Sequence, residues 1–275
     1  MNALPAHPGR PRVAIVIPAL DEEQSLPLVL AAIPRELHDV VVVSDNGSRD
    51  RTAEVARAAG AIVVHEPRRG YGSACLAALE VVLGRVAPPT PRARGAEVLP
   101  LRDTDVVVFL DADLSDHPED LPMILAPICD GTAEFVVGSR TRDSSSRAAL
   151  TPQQRFGNAL ACFLLRVLFG ARHSDLGPFR AIRVDALRHL AMRDRDYGWT
   201  VEMQLKARVG GLRVVEVPVR YRARAAGQSK VSGTLVGSVR AGWKILGWIF
   251  GWRVRLLTGS ARIPRFPRSS NSGTR

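Results

Sequence analysis

Apolar positions in this chain fall into short, regularly spaced runs. "VAIVIP" (13–18), "VVVVS" (40–44), "AIVVH" (61–65), "VVVFL" (106–110), "EFVVGSR" (134–140) and "LRVVEVPVRY" (212–221) are short and rich in β-branched residues, so they predict buried strands. Helical segments lie between the first of them, from about Glu22 to Ile33, within 45–60 up to Gly60, and over 70–84. Strands and helices alternating at this pace imply βαβ units and a mostly parallel sheet. Further helices are expected near Pro118–Cys129, over 152–170, near Tyr197–Val209 and up to about Leu257. Residues 85–104 are rich in Pro and Arg and read as a surface insertion, and 141–150 reads as a polar loop. The first twelve residues read as a flexible terminus, and 258–275 as a disordered basic tail.

Composition sharpens this picture in one respect. With 275 residues, 46% apolar and 24% charged, the chain suits an ordinary folded α/β protein with a sizeable core. The net charge of +11 is concentrated at one end: residues 204–275 hold fifteen Lys or Arg and one acid, Glu216, leaving 23 basic and 26 acidic residues before them. Three widely spaced cysteines, Cys75, Cys129 and Cys162, show no metal or disulfide spacing, as expected of reduced core residues in a cytoplasmic protein. The first residues lack an apolar stretch of the kind a secretory leader needs. No run of about 18 apolar residues occurs, so no membrane-spanning helix is expected.

The candidate chemistry starts at "VVVFLDADLSDHPEDLP" (106–122), where a core strand runs into Asp111, Asp113, Asp116, Glu119 and Asp120. Residues i and i+2 of an extended chain project to one side, so D-A-D aims two carboxylates in one direction. In a parallel α/β sheet that place is the carboxyl edge, where ligands bind. Hard divalent cations take carboxylate and phosphate oxygens, so a metal-bound diphosphate would hold these like charges together. A helix N-terminus capped by Asp116 also accounts for Asp116, Glu119 and Asp120, though not for D-A-D. Asp45, ending the second strand, is placed to accept hydrogen bonds from a nucleoside, or to shape a turn together with Asn46, Gly47 and Asp50. "RRGYGSA" (68–74) presents backbone N–H groups to phosphate or makes a tight turn before a helix.

The segments "IPALDEEQSL", "VVSDNGSRDRT", "RGYGSA", "LDADLSDHPEDLP", "VGSR", "DLGPFRAI" and "GQSK" occur in the order seen in family 2 glycosyltransferases. Over about residues 13–233 the chain resembles their dolichyl- and polyprenyl-phosphate sugar transferase branch. The resemblance implies an A-type glycosyltransferase fold: a single nucleotide-binding α/β domain with a mostly parallel, mixed sheet. It also implies a nucleotide-diphosphate sugar donor, Mg²⁺ or Mn²⁺, inversion at the anomeric carbon, and a polyprenyl-phosphate acceptor. Pro18, Ala19 and Glu22 would line the nucleoside pocket, with Asp45 on base or ribose. Asp111, Ala112 and Asp113 would meet the donor, the two acids as metal ligands, and Arg140 would lie near it. Asp175, Gly177, Phe179 and Arg180 would wall the acceptor side. Asp21 departs from the pattern, since many relatives have Asn there. Some relatives carry two-helix membrane anchors beyond Gly233, and residues 234–275 are not expected to form such anchors.

The basic end then has work to do. "YRARAAGQSK" (221–230) sets Arg222, Arg224, Ser229 and Lys230 around a glycine turn, suited to an acceptor phosphate or to the departing diphosphate. Residues 234–257 mix Trp243, Trp248 and Trp252 with Arg and Lys, which suits peripheral contact with the inner face of the cell membrane, a helix packed on the domain, or a dimer contact. Glu202 has three possible roles: general base, sugar-hydroxyl ligand, or structural partner of Arg180. A soluble or lipid hydroxyl acceptor is the nearest alternative. A nucleotidyltransferase would need a glycine-rich first loop where this chain has "PALDEE". A nucleic-acid binder would leave D-A-D unexplained, so no nucleic-acid partner is expected.

Overall fold

The computed structural model describes residues 10–90, 93–224, 235–260 and 262–267, with backbone alone for 235–244. Seven strands make one sheet: β1 (Val13–Ala19), β2 (Val40–Asp45), β3 (Ile62–His65), β4 (Val106–Phe109), β5 (Phe135–Ser139), β6 (Arg180–Arg183) and β7 (Val214–Pro218). Their order is β3-β2-β1-β4-β6-β5-β7. β6 runs antiparallel to β4 and β5, and the remaining pairs are parallel. The central strands are near-continuous apolar runs because both of their faces are covered. Val13, Ile15 and Ile17 join Val106 and Val108 in one core, while Ala14 and Val16 join Val107 and Phe109 in the other.

The helices are α1 (Leu26–Ala32), α2 (Thr52–Ala58), α3 (Tyr71–Val82), α4 (Leu121–Cys129), α5 (Ser144–Ala149), α6 (Pro152–Phe169), α7 (Val184–Leu190), α8 (Trp199–Gly210) and α9 (Leu235–Leu257). α3, α7 and α8 cover one face of the sheet, and α1 and α4 the other. A third cluster joins α6, α8 and α9 through Ala161, Leu165, Val201, Leu205 and Ile249. α6 starts on a capping box between Thr151 and Gln154, with Pro152 in its first turn, and stops at Gly170 with φ 68°.

Four expectations are corrected. Residues 85–104 are not merely a surface loop: Ala96 and Leu101 are buried, and Arg12 binds Asp105 at 2.7 Å while donating to the Val98 and Pro100 carbonyls. The 141–150 loop contains α5, whose N-cap Asp143 accepts from the Ser146 N–H. α7 follows β6 without a loop and was not anticipated. The tail is docked through residue 267, since the Phe266 N–H donates to the Gly210 carbonyl (2.7 Å) and its ring meets His189 edge-on at 5.3 Å. The expectations for Ser229, Lys230, the 225–234 turn, residues 1–9, the terminal 268–275 and the Trp243 side chain lie outside the described residues. Among the described residues no helix is long and apolar enough to cross a membrane.

Candidate active site

Parallel β1, β2 and β4 end on one edge. Ala19 pairs with Asp45, Asp45 with His65, and the Leu110 N–H still reaches the Val16 carbonyl at 3.1 Å. The D-A-D segment therefore leaves the sheet beside the ends of β1 and β2, as the sequence predicts. Pro18 and Ala19 close β1 there, and Ala112 is buried behind the two acids.

Three carboxylates gather at this edge. Asp111 accepts from the Tyr71 hydroxyl at 3.1 Å. Its low-dielectric surroundings, and then the Asp113 carboxylate, push its pKa up to about 7. Asp113 Oδ1 accepts from the Ser115 N–H (2.9 Å), and Oδ2 meets Arg224 Nε at 2.8 Å. Asp116 is 1% exposed, and neither of its oxygens has a hydrogen-bond partner among the described residues. Burial, then Asp111, raises its pKa well above the carboxylate range. Asp116 is thus no helix cap, which corrects that alternative. Instead, Asp120 precedes α4 and binds Arg220 through both the backbone N–H (2.8 Å) and Nε (2.8 Å).

Arg224 spans the site. While Nε holds Asp113, its Nη1 lies 3.3 Å from Glu22 Oε1, and Glu22 Oε2 accepts from the Ser25 hydroxyl at 2.6 Å. Asp45 is also engaged: Oδ1 takes the Ser48 N–H (3.0 Å) and Oδ2 faces His65 Nδ1 (3.2 Å). Burial alone would raise its pKa, but those partners outweigh it and the net shift is downward.

Sequence reasoning missed the device that aims Tyr71. Asn46 donates to the Glu66 and Arg68 carbonyls (3.0 and 2.8 Å) and accepts from the Gly70 N–H (2.8 Å), which fixes the loop before α3. The 194–195 backbone then lies against that loop so closely that a Cβ on Gly70 would sit 2.1 Å from the Arg195 carbonyl oxygen, and one on Gly72 2.2 Å from that of Asp194. Glu202 holds the other side of the same backbone. It accepts from the Arg193 N–H (3.0 Å) and Asp194 N–H (2.7 Å), and pairs with Lys206 Nζ at 2.7 Å. The catalytic role expected of Glu202 is therefore corrected: its carboxylate is 1% exposed and occupied in holding a loop. It does not pair with Arg180 either.

The expected acceptor wall is rearranged in the same way. Asp175 is fully buried and binds Arg140 through its N–H (2.7 Å), Nε (2.9 Å) and Nη2 (2.8 Å). Burial opposes the charge of Arg140, but Asp175 prevails and raises its pKa. Gly177 approaches Gly138, whose carbonyl oxygen would lie 2.2 Å from an added Cβ. Phe179 is core. Arg180 is fully buried and donates to the Gly177, Leu176 and Thr200 carbonyls, with burial lowering its pKa to about 10. These residues position the edge rather than face an acceptor. Arg222, expected to be catalytic, uses Nε on the Leu114 carbonyl at 2.7 Å and so braces the loop behind D-A-D.

The site suits a divalent cation on chemical grounds, since an orphaned buried carboxylate lies beside two more hard oxygen donors. Among the described residues no group of three or more His, Cys, Asp or Glu side chains is arranged to hold a metal ion by itself. Asp111 and Asp113 would hold such an ion, with phosphate oxygens or waters filling its remaining positions. The edge thus has the parts for binding a nucleoside diphosphate through a cation: carboxylates, a neighbouring arginine and strand-end polar groups.

Residues 14–90 and 91–191 match glycosyl transferase family 2, and the chain belongs to that family. It is a glycosyltransferase with the A-type fold. It is 39% identical over 237 residues to an uncharacterized glycosyltransferase of Mycobacterium tuberculosis, covering 85% of this chain and 97% of that one. It is 33% identical to an undecaprenyl-phosphate mannosyltransferase of Micrococcus luteus, covering 82% and 90%. Among solved structures it resembles glucosyl-3-phosphoglycerate synthase of Mycobacterium tuberculosis in complex with Mn²⁺, UDP and glucosyl-3-phosphoglycerate. There the TM-score is 0.62 at 22% identity, with 95% of this chain and 82% of that chain covered.

Proposed function

We propose that the chain transfers a sugar, with inversion, from a nucleoside-diphosphate sugar to polyprenyl phosphate at the cytoplasmic membrane face, using Mg²⁺ or Mn²⁺. The observation that carries the choice of acceptor is the setting of Glu202. A hydroxyl acceptor needs a base to take its proton, and the helical carboxylate nominated for that task is taken by Lys206 and two backbone amides. A lipid phosphate is already an anion near neutral pH and needs only positioning and charge stabilisation. The Micrococcus luteus relative supports the same acceptor class.

In this reading a phosphate oxygen of the acceptor attacks the anomeric carbon. The bond from that carbon to the β-phosphate oxygen breaks, and the nucleoside diphosphate departs with the electron pair. A bound divalent cation would neutralise the diphosphate. Asp111 and Asp113 would hold the cation, Tyr71 orients Asp111, and Arg224 is positioned to exchange Asp113 for the leaving diphosphate. Membrane contact falls to α6 and α9, which pack on one another and expose Phe156, Phe163, Val167, Phe250, Val254 and Leu257. Trp248 and Trp252, the anchors suggested by sequence, instead pack partly buried against the third cluster.

The test is transfer from UDP- and GDP-sugars, with Mn²⁺ or Mg²⁺, to farnesyl phosphate and to undecaprenyl phosphate in vesicles. Formation of a polyprenyl-monophosphate sugar is the expected result. Transfer to soluble hydroxyl acceptors with none to either lipid phosphate would overturn the reading.

A further inference from the structure

A groove of about 710 Å³ lies between α8, the 189–195 loop, α9 and the docked segment 262–264, and the chemistry described above does not use it. Arg68, Arg193, Arg195, Arg255 and Arg262 line it, and none of the five has an ion-pair partner among the described residues. The two acids in the groove are engaged elsewhere. Glu202 serves Lys206 and the backbone, and Asp194 accepts from the Asp196 N–H at 2.8 Å. One wall is aromatic: Trp248 and Trp252 lie 5.4 Å apart, and Lys206 Nζ sits 5.3 Å from the Trp252 ring centre.

Guanidinium groups crowded without counter-ions repel one another, and a multivalent oxyanion relieves that repulsion with bidentate hydrogen bonds. The aromatic wall adds a surface for hydrocarbon next to such an anion. The backbone of 68–73 and 193–195 lies between the groove and Asp111. Arg68 lines the groove two residues before Gly70, and Tyr71 touches Asp111, while the Arg195 carbonyl accepts from the Ser73 N–H at 2.9 Å.

We propose that this groove receives the phosphate end of the polyprenyl-phosphate acceptor, with the arginines on the phosphate and Trp248 and Trp252 on the adjoining hydrocarbon. The assignment rests on the proposed function for the identity of the lipid. The occupant required is a phosphate monoester with an attached apolar chain, so neither inorganic phosphate nor the bare alcohol satisfies both halves of the groove.

The experiment is an equilibrium titration of the full chain, without donor, followed by tryptophan fluorescence and calorimetry. Farnesyl phosphate should bind, and farnesol and inorganic phosphate should each bind at least about tenfold more weakly. The double variants Arg193→Ala/Arg195→Ala and Arg255→Ala/Arg262→Ala should each lose about tenfold or more in affinity for farnesyl phosphate. Trp252→Phe should remove most of the fluorescence change. Unchanged binding of the nucleoside diphosphate with Mn²⁺ in every variant certifies the fold. Arginine variants that titrate like wild type would overturn the proposal, as would inorganic phosphate binding as tightly as farnesyl phosphate. Displacement of farnesyl phosphate by phosphatidylglycerol vesicles at equal phosphate would also overturn it, by assigning the groove to bulk lipid. A wild-type chain that binds farnesyl phosphate in the groove yet never glycosylates it would refute the function while leaving the binding site standing.

Discussion

Asp111 and Asp116 are the residues at which the fold works against itself. Both have folded pKa values raised above that of a free aspartate, so their protonated forms are the ones the fold favours. Their contribution to stability is full below about pH 4 and is lost as pH rises, through about 7 for Asp111. In EDTA, the melting temperature of Asp116→Asn should exceed that of wild type by a margin that widens from pH 4 to pH 8, reaching on the order of a few °C. A margin independent of pH would show that the carboxylate is not strained. The same substitution should weaken binding of Mn²⁺ with nucleoside diphosphate. Asp113→Ala and Asp111→Ala should retain the fold and lose more than about tenfold in transfer, measured at saturating metal. Asp111 and Asp113 were legible because acids ending an apolar strand are hard to explain as structure. Asp116 was misread because its neighbours Glu119 and Asp120 do mark a helix start. Tyr71, the first residue of α3, and Arg224, in the loop after β7, lie 40 and 111 residues from Asp111 and Asp113, so their contacts leave no local trace.

At the scale of elements, α8 governs the active-site edge from behind. Glu202→Gln removes the counter-charge of a buried lysine and weakens the hold on the 193–194 amides, so a loss of about 3–5 kcal/mol of stability is expected. The pH profile of kcat should not change, whereas loss of a general base would flatten its acidic limb. Replacing both partners, as in Glu202→Leu/Lys206→Leu, should recover part of the stability. Gly72→Ala drives a methyl group into the Asp194 carbonyl and should reduce kcat about tenfold or more by displacing Tyr71, with a smaller effect on donor binding. The strands of the sheet were readable because β-branched runs have few other fates. The antiparallel direction of β6 was not, since the sequence "RAIR" fits either orientation and only its neighbours decide. α5 was hidden by a polar sequence, and α7 by following β6 without turn residues.

For the whole molecule, the question is how the glycosyltransferase would meet the lipid acceptor proposed for it. On the proposed function, the exposed apolar residues of α6 and α9 would form the membrane-facing surface, with arginines on the same helices complementing an anionic bilayer. Co-sedimentation with anionic vesicles should fall severalfold for Phe250→Ser/Val254→Ser, and little for Trp248→Phe. Equal sedimentation of wild type and the serine variant would remove α9 from the membrane contact. The sequence left this basic, aromatic end open between membrane contact, a helix packed on the domain and a dimer contact, and the structure packs α9 on α6 and α8. The sequence did not identify Phe250, Val254 and Leu257 as the exposed apolar residues, because which side of α9 faces the body depends on packing against α6 and α8.

The Arg224 contact sets an order of events. Its guanidinium already satisfies Asp113 and Glu22, so a bare cation arriving alone must displace a positive charge that is tethered at no translational cost. A cation that arrives on a diphosphate brings the anion to which that arginine can transfer. The enzyme should therefore ignore fluctuations in free Mn²⁺ and respond to the donor–metal complex as a unit. In calorimetry, Mn²⁺ alone should bind weakly to wild type and several times more tightly to Arg224→Ala, while Mn²⁺ with nucleoside diphosphate should show the opposite ranking.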